Sequence, residues 1–418
     1  MRPGRRQLLL GLAGLLCAPA AARPALNARV VVIGGGFGGA TAAKYLKLWQ
    51  PSLEVVLVER EASYVSCPLS NLVLAGHVAL DELGQGYDGL RRHGVQVVHD
   101  TALGIDATKK LVRTARGGDL RYDRLVVSPG IDFVTAEIDG CEQALRAGRL
   151  VHGWKPGAQT ALLRRQLVEL RDGGTFVLCI PPSPFRCLAA PYERACQVAA
   201  YFRRAKPRSK VLVYDANPSV VAKGEMFRRA WKELYRGIVE YHPSHKVTAL
   251  EPDRSTVHFE FDQARGDVLN VVPPQRAGDL AAGAGLITHN RRWCDVDWRS
   301  LESRAVPGIH VLGDATLAPS GMPKNGHAAN SMGKVCAAAV IALLEGRQPD
   351  PAPVLSASCW SYVSEREAGH ALSIHRYDSA QRTLVAVKDA ASMSTAGSVH
   401  EGHIGWAWAR NIWADSFG

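Results

Sequence analysis

The sequence predicts an α/β protein with two Rossmann-like dinucleotide-binding domains followed by a C-terminal α+β interface domain. Three observations carry that reading. A β-rich run over residues 28–33 leads directly into Gly34-Gly35-Gly36-Phe37-Gly38-Gly39 and then a helical run over 40–48. Far downstream, Gly308-Ile309-His310-Val311-Leu312-Gly313-Asp314 reads as a strand that ends by delivering a carboxylate. Between them helix and strand alternate a second time, with a helical run over 158–171, a strand over 175–180 and another over 210–214 ending at Asp215. Such alternation builds parallel sheets. At 418 residues, 47% hydrophobic and 21% charged, the chain suits several globular domains and excludes disorder or a multi-span membrane protein.

The N-terminus bears on compartment. Arg2, Arg5 and Arg6 precede an apolar stretch over 8–17, and small residues follow over 18–22. That is the layout of an export signal, and Arg5-Arg6 before Leu8-Leu9 resembles the twin-arginine type, which carries folded cargo. Cleavage is expected after Ala20 or Ala22, and a periplasmic protein follows. Removing the three arginines of 1–22 takes the net charge from +11 to +8. No nucleic-acid partner is expected. The longest later apolar run, 335–344, is too short to cross a bilayer, so no membrane span is expected in the mature chain.

Gly34, Gly36 and Gly39 occupy the three positions of G-x-G-x-x-G. They serve a tight turn, close backbone approach to a pyrophosphate, and close helix–strand packing. The unpaired N–H groups of the helix start suit phosphate oxygens. A second strand over 54–58 ends at Glu59, placed for a ribose hydroxyl. The strand running to Ser128-Pro129-Gly130 and the Gly313-Asp314 segment resemble the two further segments of flavoproteins with two dinucleotide domains, so FAD is the expected cofactor. Asp314 would meet the ribityl chain. The helix after it, from about 325 to 344, could aim its positive end at the flavin.

These segments divide the chain into an FAD-binding domain over 23–140 and 280–350, an inserted NAD-type domain over 141–279, and an interface domain over 351–418. In the inserted domain, the place of a second glycine loop reads Pro181-Pro182-Ser183-Pro184-Phe185-Arg186-Cys187. Proline lacks the N–H that cradles a pyrophosphate and its ring obstructs approach, so the domain is degenerate for a nicotinamide cofactor. The basic stretch 203–210 reads as a solvated face, with an acidic docking partner as the alternative. The aromatics Trp406, Trp408, Trp413 and Phe417 read as a packed interface.

Eight cysteines follow the signal and no two have C-x-x-C spacing, which argues against a zinc ribbon, a thioredoxin-type dithiol and a haem attachment site. No metal or haem is expected on this chain. Three cysteines stand in distinctive surroundings: Ser66-Cys67-Pro68-Leu69-Ser70-Asn71, Phe185-Arg186-Cys187 with Pro191-Tyr192-Glu193-Arg194 after it, and Ser358-Cys359-Trp360. With Met322-Pro323-Lys324, Ala329-Asn330-Ser331 and the final Asp415-Ser416-Phe417-Gly418, they make the chain resemble the flavoprotein subunit of flavocytochrome c sulfide dehydrogenase over about 28–418. The resemblance implies a thioether from Cys67 to the flavin, a redox-active disulfide between Cys187 and Cys359, and Glu193 as a nearby acid/base. Pro68 and Leu188 depart from the family's pattern without bearing its chemistry.

From the residues alone, a local Cys187–Cys196 bridge and a purely structural interdomain staple stay open. Cys179 and Cys336 read as core residues. The chemistry suits these residue types, because hydrosulfide is a thiolate-like nucleophile that can open a disulfide. The expected function is therefore sulfide oxidation with FAD, with a c-type cytochrome as electron acceptor and partner. An NAD(P)H-dependent flavin reductase and a non-catalytic flavoprotein partner of a sulfur-oxidising complex are the alternatives.

Overall fold

The computed structural model describes residues 26–418, so the expected export signal over 1–22 lies outside the described residues. The first unit is β1 (Arg29–Ile33), α1 (Phe37–Trp49) and β2 (Glu54–Val58). A short helix α2 (Ser70–Ala75), then β3 (Gln96–Val98) and β4 (Arg124–Val127), follow. Every residue of β1 after Arg29 is buried, the mark of a central strand covered on both faces. β1 pairs in parallel with β2, Val31 opposite Val56, and with β4, Val31 opposite Leu125.

The chain next enters the inserted domain: α3 (Ala158–Glu169), β5 (Thr175–Ile180), α4 (Ala190–Ala205), β6 (Lys210–Asp215), α5 (Gly224–Glu233), β7 (Val239–His242) and β8 (Val268–Val271). These strands form a parallel sheet in the order β7-β6-β5-β8. An antiparallel pair, Ile131–Phe133 with Gln275–Ala277, marks the passage between the two sheets.

On its return the chain adds β9 (Val296–Asp297), β10 (Glu302–Ser303) and β11 (Ile309–Val311), completing a seven-stranded sheet in the order β9-β10-β11-β4-β1-β2-β3. Helix α6 (Gly326–Leu344) follows, its first turn capped by Asn325, whose side chain accepts from Ala328 N at 2.8 Å. Such a cap contributes about 1 kcal/mol. With 19 residues and a mean hydropathy of 1.3, α6 is long and apolar enough to span a membrane, more than the apolar run at 335–344 implied. Its apolar surface is instead buried against α1 and the C-terminal sheet.

That last sheet is β12 (Val354–Tyr362), β13 (Ala368–Asp378), β14 (Thr383–Ala386) and β15 (Ser392–Met393), closed by α7 (Val399–Phe417). β12 has one sheet neighbour, β13, and so presents an open edge. The tryptophans of α7 do pack as an interface, with Trp406, Trp408 and Trp413 against Trp360 and the Leu69–Leu72–Leu83 cluster beside Cys67. The basic stretch 203–210 is largely a solvated face, with Arg203, Arg204 and Arg208 exposed. Arg204 donates to Ala75 O at 2.9 Å and so caps α2, while Arg208 pairs with Asp172 at 2.8 Å and Lys210 with Glu240 at 3.0 Å.

Candidate active site

The glycine loop is shaped by three separate demands. Gly34 has φ +95°, and a Cβ there would lie 2.3 Å from Ser128 O. A Cβ on Gly39 would stand 2.0 Å from Gly34 O, so this glycine lets α1 close onto the loop. α1 already begins at Phe37 rather than at 40, because Gly38 and Gly39 are part of its first turn. Gly36 differs: a Cβ there would meet only Tyr64 Cε2, at 3.5 Å. Nothing inside the protein requires a glycine at 36, which fits a position left open for a phosphate. Gly36 is the N-cap of α1 and offers no side-chain cap, leaving the helix's first N–H groups for a ligand.

Glu59 closes the other side. One carboxylate oxygen accepts from Gly35 N at 2.7 Å and the other from Glu61 N at 3.0 Å, which fixes the acid against the loop. Gly130, at φ +66°, turns the chain at the end of β4, and its carbonyl accepts from Gly278 N at 3.1 Å. Gly313, at φ +76°, starts the turn that carries Asp314. The Oδ1 of Asp314 is buried without a partner among the described residues. Its Oδ2 stands 4.0 Å from Arg186 Nε. A buried carboxylate oxygen left unpaired costs about 1–3 kcal/mol, so its retention at the end of a flavin motif fits a hydroxyl donor from the ribityl chain. Burial raises the pKa of this acid, and Arg186 and Lys324 pull it back down.

Arg186, from the inserted domain, meets groups of the FAD-binding domain. Burial opposes its charge, yet Cys67, Asp314 and Cys187 more than offset that, and its pKa is raised. The same guanidinium bonds Trp154 O, and its backbone N–H donates to Gln275 Oε1 at 2.9 Å. Cys67 sits with its sulfur 3.4 Å from Tyr64 Oη, while its carbonyl accepts from Ser70 Oγ at 2.7 Å, which turns the chain into α2. Cys187 takes φ +57°, strained for a side chain. It is held there by Cys187 N donating to Lys324 O at 2.8 Å and by its carbonyl accepting from Ala190 N at 2.8 Å. Burial pushes the Cys187 thiol well above its usual range, Arg186 counters, and Cys359 is near enough to raise it further. Lys324 is itself pulled down to about 8 by burial, with its ammonium 3.9 Å above the Trp293 ring.

Cys187 and Cys359 are thus near enough to act on one another electrostatically, but both are free thiols in the structure, as is Cys196. Neither the bridge implied by the family resemblance nor the local Cys187–Cys196 alternative is formed. Cys179 and Cys336 are core residues, each at most 1% exposed.

Glu193 lies six residues beyond Cys187, in the first turn of α4. Its two oxygens accept from Tyr362 N at 2.7 Å and Asn71 Nδ2 at 2.8 Å. Burial raises its pKa, offset by those two bonds and by Lys223 and Arg194. Gln197, one turn further along, donates to Tyr362 O at 3.1 Å. An i,i+4 pair thus takes both outward polar groups of one residue on the open edge of β12. Asn71, four residues after Cys67, also donates to Ala190 O at 3.0 Å and accepts from Arg194 Nε at 3.1 Å. None of Arg186, Lys324, Tyr64, Asn71 or Arg194 was assigned a role from sequence. All but Tyr64 lay in segments that stood out in the sequence, Arg186 directly beside Cys187, yet none of those segments showed what these side chains contact.

The inserted domain's nucleotide cleft is filled from within. The cavity at Pro181, Pro182, Ala216 and Lys246 holds about 10 Å³, room for one water at most. The Asp215 carboxylate, where a ribose would be held, already accepts from Tyr192 Oη at 2.7 Å, Tyr241 Oη at 2.9 Å and Asn217 Nδ2 at 2.7 Å.

Fold and site together define a flavoprotein built on two Rossmann-like dinucleotide-binding domains. Residues 28–167 match the pyridine nucleotide-disulphide oxidoreductase family, 160–273 match the central part of the sulfide dehydrogenase [flavocytochrome c] flavoprotein chain, and 351–417 match the flavocytochrome c sulphide dehydrogenase flavin-binding family. A sulfide dehydrogenase [flavocytochrome c] flavoprotein chain from Chlorobaculum thiosulfatiphilum is 60% identical over 45 residues, 11% of this chain and 94% of that one. The protein belongs to the family of flavocytochrome c sulfide dehydrogenase flavoprotein chains. The mitochondrial sulfide:quinone oxidoreductase of Mus musculus is 24% identical over 300 residues, covering 70% of this chain and 66% of that protein's length. The sulfide:quinone oxidoreductase structure from Aquifex aeolicus superposes with a TM-score of 0.77 at 19% identity, covering 93% of this chain and 91% of that one.

Proposed function

We propose that this protein is an exported, FAD-dependent sulfide dehydrogenase that oxidises hydrosulfide at a Cys187–Cys359 disulfide and passes the electrons to a c-type cytochrome. The observation that carries it is that Cys359, from the C-terminal domain, lies near enough to act on Cys187, which adjoins Arg186, the guanidinium that faces Cys67 and Asp314. The loop at 34–39, Glu59, Gly130 and Gly313-Asp314 would hold FAD, and Cys67 would attach it through a thioether. When bound, FAD supplies a two-electron acceptor beside the thiols.

The chain's own chemistry starts with the disulfide. Hydrosulfide attacks one of its sulfurs; the Cys187–Cys359 bond breaks, a bond to the substrate sulfur forms, and one cysteine becomes a persulfide while the other leaves as a thiolate. Arg186, about an eighth exposed, offsets the negative charge of both the attacking anion and the released thiolate. Both Glu193 oxygens are engaged, which supports a positioning role for it over proton transfer.

The filled inserted-domain cleft favours this reading over a nicotinamide-dependent reductase. Quinone is the competing acceptor, because relatives in Mus musculus and Aquifex aeolicus carry that name. The purified holoprotein should reduce a c-type cytochrome on addition of sulfide, and faster than it reduces a soluble ubiquinone analogue. NADH-driven reduction without a response to sulfide overturns the proposal, as does flavin that stays oxidised under anaerobic, saturating sulfide. Mass analysis of protein from the periplasm should show cleavage after residue 20 or 22 and flavin retained on the Cys67 peptide. Cys187→Ser and Cys359→Ser should each abolish sulfide oxidation with FAD still bound. If the pair is only a staple, the same changes lower stability by about 2–5 kcal/mol and leave turnover in the cold.

A further inference from the structure

Lys223 is among the most completely buried large side chains of the protein, at 1% exposure, and belongs to no motif. It precedes α5 in the inserted domain with φ +53°, a left-handed backbone that costs a lysine energy. Its ammonium has three partners, none of them a carboxylate: Cys359 O at 3.2 Å, Ser361 Oγ at 3.0 Å and Gly369 O at 2.9 Å. All three belong to the C-terminal sheet. A buried ammonium and a strained backbone together exceed what simple cohesion between domains demands, since an apolar side chain would fill the space without the desolvation cost.

The partners point to what the lysine fixes. Alternate residues of a strand share a face, so Cys359 and Ser361 project from the same side of β12. An ammonium bonded to Ser361 Oγ and to the Cys359 carbonyl therefore stands on the face from which the Cys359 side chain projects. Gly369 is opposite Ser361 on β13, so the same ammonium also ties the two strands at this point. Glu193 and Gln197 hold the same strand three residues on, at Tyr362, from the helix that begins just after Cys187. Of these grips, Lys223 is the one applied to the cysteine itself.

We propose that Lys223 is a positioning residue that sets Cys359 opposite Cys187 and thereby raises the effective concentration of one thiol at the other. The inference rests on the functional reading above, which requires the pair to bridge. Its measurable consequence lies in the disulfide equilibrium. One oxidised glutathione converts the two thiols to a disulfide and is reduced to two glutathione thiols, which receive the two electrons and both protons. The equilibrium constant scales with how well the two sulfurs are held together.

The test is a glutathione redox titration of the Cys187–Cys359 pair in flavin-loaded protein, read by thiol trapping and mass analysis. Lys223→Met should shift the equilibrium at least tenfold toward the dithiol, equivalent to about 30 mV, with FAD retained. Ser361→Ala, which removes one of the three partners and keeps a small side chain, should shift it several-fold in the same direction; it carries the test if Lys223→Met does not fold. Tyr241→Phe, which removes a half-buried hydrogen bond to Asp215 inside the inserted domain, should lower Tm and leave the equilibrium in place. Wild-type protein that forms no Cys187–Cys359 disulfide in oxidised glutathione overturns the functional reading and this inference with it. A wild-type disulfide whose equilibrium is unmoved in folded Lys223→Met or Ser361→Ala overturns the inference alone.

Discussion

Alanine substitutions at Gly36 and Gly39 should have opposite consequences, although the two residues belong to one loop. At Gly39 the added methyl carbon would stand 2.0 Å from Gly34 O and 3.2 Å from Gly34 C. Both are backbone atoms of a residue at φ +95° whose N–H is bonded to Val58 O at 3.0 Å, so the loop cannot yield without leaving the sheet. α1 must move instead, and overpacking of this kind costs about 3 kcal/mol or more. At Gly36 the backbone, φ −73° and ψ −174°, suits alanine, and the methyl meets one ring carbon at 3.5 Å. The apoprotein should lose only about 1 kcal/mol, the ordinary cost of alanine at an N-cap. The methyl would occupy the open side of the loop, and FAD affinity should fall tenfold or more, about 1.4 kcal/mol. Urea unfolding of flavin-free protein and flavin absorbance per chain after dialysis measure the two effects; Cys67→Ser in the background prevents covalent retention. Gly36→Ala with full FAD, or Gly39→Ala with wild-type stability, would refute the division of roles.

Three further outcomes are expected. Asn71→Ala removes partners from Glu193, Arg194 and the Ala190 carbonyl at once and should destabilise by about 3 kcal/mol, seen as a lower urea midpoint at unchanged m. His152 is held neutral, its pKa lowered to about 3 by burial and by Arg194 and Lys155. The unfolded chain therefore binds one more proton than the folded one between pH 6.5 and about 3, so this group's contribution falls as pH drops through that window, by up to about 1.4 kcal/mol per unit. His152→Gln should flatten the pH dependence of stability there; an unchanged slope counts against a neutral buried imidazole. Arg186→Leu should leave the Cys187 thiol still less ionised, so that alkylation of reduced protein by iodoacetamide slows at Cys187; equal or faster labelling would remove Arg186 from the account.

What the sequence made legible was whatever a local pattern can carry. Residues 54–58 and 175–180 are strands at the predicted bounds, because a short apolar run rich in β-branched residues needs no distant information. The glycine loop and Gly313-Asp314 were legible because each position answers a short-range steric or hydrogen-bonding need. The proline-rich 181–184 was legible for the same reason. Cys187 and Cys359 were not paired by spacing; only resemblance linked them, since 172 residues separate them and geometry alone brings them together. Lys223 left no trace and Asn71 stood out only as a neighbour of Cys67, for their partners lie in other domains, and sequence pattern does not register those. Arg204 is exposed, as expected, but its bond to Ala75 O, a helix end 129 residues earlier in the chain, left no local signal.

The aromatic cluster at the end of α7 has a kinetic consequence. Phe417 stacks on Tyr64 with ring centroids 5.5 Å apart and lies 5.7 Å from Phe37, while Thr41 Oγ1 bonds Ser416 Oγ across 375 residues. The first βαβ unit can form early from its own local contacts, but the apolar rings of Phe37 and Tyr64 stay uncovered until residue 417 has been synthesised. Contacts of such long sequence separation are slow to close and leave sticky surface exposed meanwhile. The loop bearing Cys67 is thus finished last, although it is encoded among the first seventy residues. Maturation of the site waits on the whole chain rather than on the domain that contains it.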